Sequence, residues 1–401
     1  MLNDLWLLLS GFLIFVGLVA SKGLLIVVGA LIILIWSSTK LWERFALRKI
    51  ILTRNISHKR VFIGDTIDYN ISIYNGKLLP LIWCDVSETF PSGLTLLNGR
   101  VMGSVIETRR EHHLRSSLLP YEKINWQFKL ECNQRGYHRI GPAELRSGDI
   151  FGFSSVSSKF PDVEEILVYP EIIDLDDLIK PSEYPLEGST GRIPISQDIN
   201  KFSGLRNYLA SDPLKFISWK HTAKTGSLQV KQYEPVVALN VLIAMNGKTN
   251  EYAWQGGNSA SFERTVTLTA SLAKCCLDRK YSVGLISNSI AAYSGKWINL
   301  AISSSNNQFD LIMQNLAMVG QHTITTLEQV LEAEHRFITQ GTTVAVTTPL
   351  ISNALANEIR EIKHRGHPVI IFYSGDLEPR IKIEDVSMFY VNNQFKPNFS
   401  K

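Results

Sequence analysis

Chemistry is most concentrated between Phe202 and Pro235. Five basic side chains (Arg206, Lys215, Lys220, Lys224, Lys231) stand there against two acids (Asp212, Glu234), with aromatics, Tyr208, Trp219 and Tyr233 among them, interleaved. Cationic groups beside flat rings suit an anionic ligand, a docked protein, or ion pairs locked across a domain junction. A single-stranded nucleic acid is recognised by the same pairing of charge and stacking. That reading needs a strongly basic domain face, and a net charge of +4 over 401 residues supplies none.

Other candidate groups have simpler explanations. His112 and His113 are adjacent, and neighbours on a strand point to opposite faces, so they cannot easily share an ion; His138 lies apart. His364 and His367 flank Arg365-Gly366 at a helix end, where positive charge suits the helix dipole. Gly256-Gly257-Asn258-Ser259 precedes a helix, but the Gly-Lys-Ser/Thr ending of a nucleotide loop is missing and capping explains the stretch. Ser196 and Ser303–Ser305 have no His/Asp partner that spacing can place. The four cysteines (Cys84, Cys132, Cys275, Cys276) form no Cys-x-x-Cys pair, which points to reduced, buried thiols. With no nucleophile, acid–base pair or cofactor fingerprint, no cofactor is expected.

The elements that position these residues change period along the chain. Residues 1–45 carry two apolar stretches, Leu5–Ala20 and Gly23–Trp36, broken at Ser21-Lys22. A transmembrane hairpin turning at Lys22 is the preferred reading, and one long tilted helix is the alternative. Lys40, Arg44, Arg48, Lys49, Arg54, Lys59 and Arg60 follow, so the positive-inside rule places the remainder in the cytoplasm, with Trp36 and Trp42 suited to the interfacial belt. Residues 50–170 then alternate with period two, as in Asp65–Tyr74, Leu81–Val86, Tyr121–Leu130 and Tyr137–Leu145; this predicts a small antiparallel β-sandwich. A Pro- and Gly-rich connector occupies 171–200, and the basic–aromatic segment 201–235 leads into an α/β domain over 236–401. There Val236–Met245, Tyr281–Ser287, Thr343–Thr347 and Pro368–Tyr373 read as strands. Ser259–Lys280, Phe309–Val319, Thr326–Phe337 and Ile351–Lys363 read as helices, giving a parallel, Rossmann-type sheet. Ligands of such sheets bind beyond the carboxyl ends of the strands, here Met245–Lys248, Ser287–Ser289, Thr347–Leu350 and Ser374–Asp376.

Three segments carry a family resemblance: RGYHRIGPAELRSGDIFGF (135–153), ILVYPEII (166–173) and FSGLRNYLASDPLKFISWKHTAKTGSLQVKQYE (202–234). Together they resemble the bacterial domain-of-unknown-function 58 family, membrane proteins with a von Willebrand factor A-like domain. Arg206, Tyr208, Asp212, Pro213, Ile217, Trp219, Lys220, Thr222, Ala223 and Glu234 match its motif. Ser211, Ser218 and Lys224 stand where Gly, Asp and Arg are usual. The resemblance implies a MoxR-type AAA+ ATPase as partner. It also implies a metal loop of Asp-x-Ser-x-Ser type after the first strand, but this chain has Met245-Asn246-Gly247-Lys248-Thr249, without a carboxylate to bind a hard cation. No metal is therefore expected.

The resulting expectation is a membrane-anchored scaffold in a bacterial inner membrane, facing the cytoplasm and free of metal-dependent adhesion. Its interaction residues would be Arg206, Tyr208, Asp212, Trp219, Lys220, Lys224 and Glu234. An enzyme acting on an anionic or cell-envelope substrate is the alternative.

Overall fold

The computed structural model describes residues 2–99, 101–103, 109–149, 152, 154–175, 196–207, 217–236, 240–251, 256–292, 295–335, 338–339, 341–384 and 386–391. It divides into two compact units, residues 1–168 and 169–401.

The first unit opens on two helices, α1 (Leu2–Val19) and α2 (Gly23–Phe45). They are joined at Ser21, in the left-handed region at φ 51°, and at Lys22. The helices approach closely where side chains are small: a Cβ at Gly17 would stand 2.8 Å from Ile26, and one at Gly29 only 2.5 Å from Ile14. The chain thus turns at the Ser21-Lys22 break instead of continuing as one helix. Among the described helices, α2 is long and apolar enough to cross a membrane; the apolar part of α1, Trp6–Val19, is shorter.

Antiparallel strands follow: β1 (Ile50–Ile56), β2 (Arg60–Phe62), β3 (Thr66–Asn75), β4 (Leu81–Pro91), β5 (Leu94–Leu96) and β6 (Val101–Gly103). Then come β7 (Arg109–Leu118), β8 (Lys123–Cys132), β9 (Gly136–Ile140), β10 (Ala143–Gly148), β11 (Ser155–Phe160) and β12 (Glu164–Tyr169). They assemble into sheets of order β1-β3-β8-β5, β11-β10-β4-β7-β6 and β2-β12-β9. Alternation sets the faces: Ile67, Tyr69, Ile71 and Ile73 of β3 are buried, as are Cys84, Val86 and Phe90 of β4. The run Tyr137–Leu145 is two strands, not one, because Gly141-Pro142 interrupts the ladder.

Trp42 corrects the interfacial-belt expectation. It is 7% exposed and belongs, with Ala46, to the sandwich core. The end of α2 is fastened to the sandwich by Thr39, whose hydroxyl donates to Asp149 at 3.1 Å, and by Ser154, which donates to Glu43. An indole that a membrane surface would accept is here enclosed by protein because the helix runs straight into the β domain.

A charged cluster also lies inside this core. Arg54 pairs with Glu88, whose other oxygen accepts from the Tyr69 hydroxyl at 2.6 Å, and all three side chains are buried. Burial pushes the Glu88 carboxyl above its usual range despite the opposing pull of Arg54. His112 is enclosed edge-on between Phe90 and Phe128, while His113 turns outward to Asp85 at 3.3 Å. The two imidazoles therefore occupy opposite faces of β7.

In the second unit, β13 (Ser196–Asn207), α3 (Trp219–Thr225) and β14 (Gln229–Val236) precede the main sheet. That sheet is built from β15 (Asn240–Met245), α4 (Ser259–Asp278), β16 (Ser282–Ala291), β17 (Trp297–Ser303), α5 (Gln308–Met318), β18 (Val319–Thr323) and α6 (Leu327–Glu334), followed by β19 (Thr343–Thr348), α7 (Asn353–His364), β20 (Val369–Tyr373) and β21 (Ser387–Tyr390). Strand order is β17-β16-β15-β19-β20-β21, with β18 also on β16. Pairing is parallel from β16 to β21 and antiparallel for β17 and β18. Leu327, Leu331, Leu355 and Ile359 of α6 and α7 pack against Leu242, Ala244, Val344, Val346 and Ile371 on one face. Helix α4 touches β15, β16 and β19, and its Thr269 meets Thr347, which points to the other face. Strands buried on both faces explain the unbroken apolar runs. Val236 closes β14 and is not part of the first central strand, which begins at Asn240.

Candidate functional site

The carboxyl-terminal parts of the parallel strands and the loops that follow them bring Asn246, Asn288, Thr347, Thr348 and Ser374 together; all are buried. Asn246 follows β15, and its amide nitrogen donates to the Thr348 hydroxyl at 3.0 Å and the Leu350 carbonyl at 3.4 Å. Its side-chain oxygen accepts from the Lys248 backbone at 3.0 Å and the Asn288 amide at 3.1 Å. Asn288 in turn accepts from Gly247 N–H at 2.8 Å. A carboxylate and two hydroxyls are the ligand set such a loop needs for a hard cation. Here a neutral amide holds those oxygens together by hydrogen bonds. Among the described residues, no group of three or more His, Cys, Asp or Glu side chains converges.

Helix α4 closes the edge with hydroxyls. Thr269 meets Thr347 at 2.8 Å, and Thr265 meets Ser374 at 2.7 Å. Asp376 caps the cluster. It accepts from Asn258 at 2.8 Å and Ser261 at 3.0 Å and pairs with the buried guanidinium of Arg264. Partial burial works against its ionisation, but the hydrogen bonds and charge of Arg264, with Ser261 and Asn258, hold the carboxyl below its usual range. Ser289 has a buried hydroxyl with no partner among the described residues, and a Cβ on Gly247 would fall 1.7 Å from it. A side chain at 247 would have to displace that hydroxyl. Thr249, the last residue of the loop, accepts from the Asn258 backbone at 2.9 Å and ties the loop to the start of α4.

Sequence reasoning located the four loops but missed Arg264, the one charged side chain among the buried residues of α4. A lone Arg among positions spaced for burial is the signal that could have found it, since burial of such a group requires an acidic partner.

The basic–aromatic segment is organised separately. Ile217 bridges Val230, Ser218 N–H donates to the Gln229 carbonyl at 2.8 Å, and Gln229 N–H donates to the Thr222 hydroxyl at 3.0 Å. Helix α3 ends at Gly226 in the left-handed conformation, φ 71°. On this pinned turn Trp219 is 67% exposed, and Lys220 and Lys224 are exposed beside it. Trp219 is therefore not a core residue. Tyr208 and Asp212 lie outside the described residues. Arg206 sits in β13 opposite Val230, and Glu234 sits in β14, with both side chains outside the description.

Three of the four thiols have the character expected of buried cysteines. Desolvation raises Cys84 and Cys132 to about 11 and Cys276 to about 12, and Cys275 is half-buried.

A family described as "Protein of unknown function DUF58" matches residues 204–376, which include most of the basic–aromatic segment and the whole cluster from Asn246 to Asp376. The "Uncharacterized protein YeaD" of Bacillus subtilis (strain 168) is 22% identical over 278 residues, 68% of this chain and 63% of that protein. The match thus spans less than two thirds of that relative's length. Among solved structures, the major pilin SpaD of Corynebacterium diphtheriae is 9% identical over 29% of this chain and 34% of its own, at a TM-score of 0.22. The CARDB domain of the Pyrococcus furiosus PF1109 protein is 15% identical over 30% of this chain and 93% of its own, at a TM-score of 0.21. Overlaps this slight carry no argument.

Proposed function

We propose that this chain is a membrane-anchored interaction protein that docks a protein partner through helix α3. The observation that carries the reading is Trp219: a large aromatic held in solvent on an internally hydrogen-bonded turn, with Lys220 and Lys224 beside it. Burying an indole beside paired charges is how interface anchors contribute most of their free energy. The family resemblance supplies the kind of partner, a MoxR-type AAA+ ATPase, and with it the reading of residues 236–401 as a von Willebrand factor A-like domain. The apolar helices α1 and α2 serve as the anchor, and the basic residues after Trp36 set the soluble units on the cytoplasmic face. The neutral lock at Asn246 supports an edge that works without metal-dependent adhesion.

A photo-reactive amino acid at position 219 in intact membranes tests this. The expected product is an adduct with an AAA+ ATPase, lost from a Lys220→Glu/Lys224→Glu variant. Trp219→Ala should abolish partner recovery without lowering Tm. Folded Trp219→Ala protein that recovers the partner at the wild-type level would overturn the reading.

A further inference from the structure

The end of the sandwich that receives α2 differs from the rest of its surface. Besides the β10–β11 loop that grips α2, three connections meet there: the α2–β1 junction, the β3–β4 loop and the β7–β8 loop. Register places them together, since Ile50 pairs with Asn75, Tyr74 with Lys123 and Leu81 with Leu118. Gly76 N–H donates to the Lys49 carbonyl at 2.9 Å, which joins the β3–β4 loop directly to the residues leaving α2. The two loops present Leu78, Leu119 and Tyr121 at 74%, 63% and 60% exposure. Ile82 and Trp83, at the start of β4, are exposed beside them, as is Ile51. Among the described residues of the sandwich, Leu97 is the one exposed large apolar side chain found elsewhere.

These tips are held outward. Buried Asn75 donates through its amide to the carbonyls of Leu79 and Leu119, both at 3.0 Å, and accepts from Lys77 at 2.9 Å. Glu122 accepts from Leu119 N–H at 2.6 Å, and Tyr121 adopts φ 58°. The loops cannot fold their apolar residues back onto the sandwich without losing this lattice of bonds.

The length of α2 decides what covers them. The sandwich takes hold of the helix at Thr39, and residues 23–38 of α2 precede that contact. At about 1.5 Å per residue that stretch is about 24 Å long, less than the ~30 Å of a bilayer's hydrocarbon core. No spacer separates the helix from the sandwich, so a helix inserted to its apolar limit draws this end of the sandwich onto the membrane surface. Exposed Arg44, Arg48 and Lys49 surround the helix exit and suit anionic headgroups. An aromatic and two leucines on rigid loops suit the zone beneath those headgroups.

We propose that this face is a lipid-contacting rim: Leu78, Leu119 and Tyr121 insert into the interfacial layer of the same bilayer that holds α1 and α2. The proposal rests on the anchor reading of those helices and adds a second, β-borne contact to it.

The test uses the full chain in vesicles containing anionic lipid, with Cys275→Ser to remove the half-buried thiol. A polarity-sensitive fluorophore is placed on Leu78→Cys, Leu119→Cys, Ile33→Cys or His58→Cys, the last at the opposite end of the sandwich, and lipids carry a spin quencher just below the headgroup. Labels at 33, 78 and 119 should lose most of their emission, while the label at 58 keeps its own. If 33 is quenched and 78 and 119 behave like 58, the rim is refuted and the anchor stands. If 33 is not quenched, both fall. Shielding of 78 and 119 that requires an added protein, with no lipid quenching, refutes the rim in favour of a protein-covered face.

Discussion

The sandwich and the α/β unit both bury polar side chains, but they bury different kinds at different depths. In the sandwich the buried cluster is ionic: Arg54, Glu88 and Tyr69 lie within the core, with His112 enclosed between phenyl rings. In the α/β unit the buried groups are chiefly neutral amides and hydroxyls at the carboxyl edge of the sheet, and the one ion pair there among the described residues reaches solvent through Asp376, whose side chain is 45% exposed. Enclosed charge makes the sandwich sensitive to pH and to loss of a partner, while offering nothing to a ligand. A neutral edge holds loops in place without requiring an ion. The first arrangement specifies a core; the second specifies the shape of a surface.

The largest effect expected from this contrast is at Arg54. Arg54→Ala leaves the Glu88 carboxyl inside the core without its cation, and chemical denaturation should show a loss of about 3–5 kcal/mol. A joint Arg54→Met/Glu88→Leu variant should recover most of it, because the remaining groups no longer bury an uncompensated charge. A single variant that loses less than about 1 kcal/mol, the range of exposed pairs, would erase the distinction between the two units.

His112 gives the next effect, and its sign can be worked out. Burial lowers its pKa from 6.5 to about 4, with the neighbouring His113 adding to the shift. Between those values the unfolded chain binds a proton that the folded chain refuses. Stability therefore falls as pH drops through the window, by at most on the order of 3 kcal/mol. Glu88 acts in the opposite sense: its raised pKa favours the folded state at low pH and is lost as pH rises. His112→Phe should flatten the acid-side slope of a denaturation series. An unchanged slope would remove His112 from the account.

The smallest effect sharpens the neutral side of the contrast. Asn246→Asp replaces a donor with a carboxylate facing the Thr348 and Leu350 oxygens, which should cost about 1–3 kcal/mol. Thermal melts with and without Mg²⁺ decide what the edge is. Loss that Mg²⁺ does not restore keeps it a hydrogen-bonded lock, whereas full recovery would make it a metal loop that lacks one atom.

Much of the architecture could be read from period alone. The alternation in Thr66–Asn75 and the continuous apolar runs of β15 and β20 report burial on one face or two, and burial is what the sheets obey. Edge strands were not legible. Trp297–Ser303 is largely half-exposed, and Val319–Thr323 follows α5 without an intervening turn, so neither has the pattern of a fully packed strand. Trp42 shows the limit in another way, because an indole near a helix end has the same sequence whether lipid headgroups or a β-sheet surround it. Within the site, the loops followed from topology. The choice of Asn288 and Arg264 as partners depended on contacts between residues tens of positions apart, which no local pattern encodes.

The way α2 ends has a mechanical consequence. Because Trp42 and Ala46 are part of the sandwich core and Thr39 and Glu43 are bonded to the β10–β11 loop, helix and sandwich rotate as one lever with no elbow. Strand β4 has 11 residues and extends roughly 36 Å at about 3.3 Å each. A change of about 10° in the tilt of α2, well inside the range seen for helices in bilayers of different thickness, would swing the far end of the sandwich by about 6 Å. With α2 as the proposed membrane anchor, bilayer thickness would then set the height and angle at which the first unit stands.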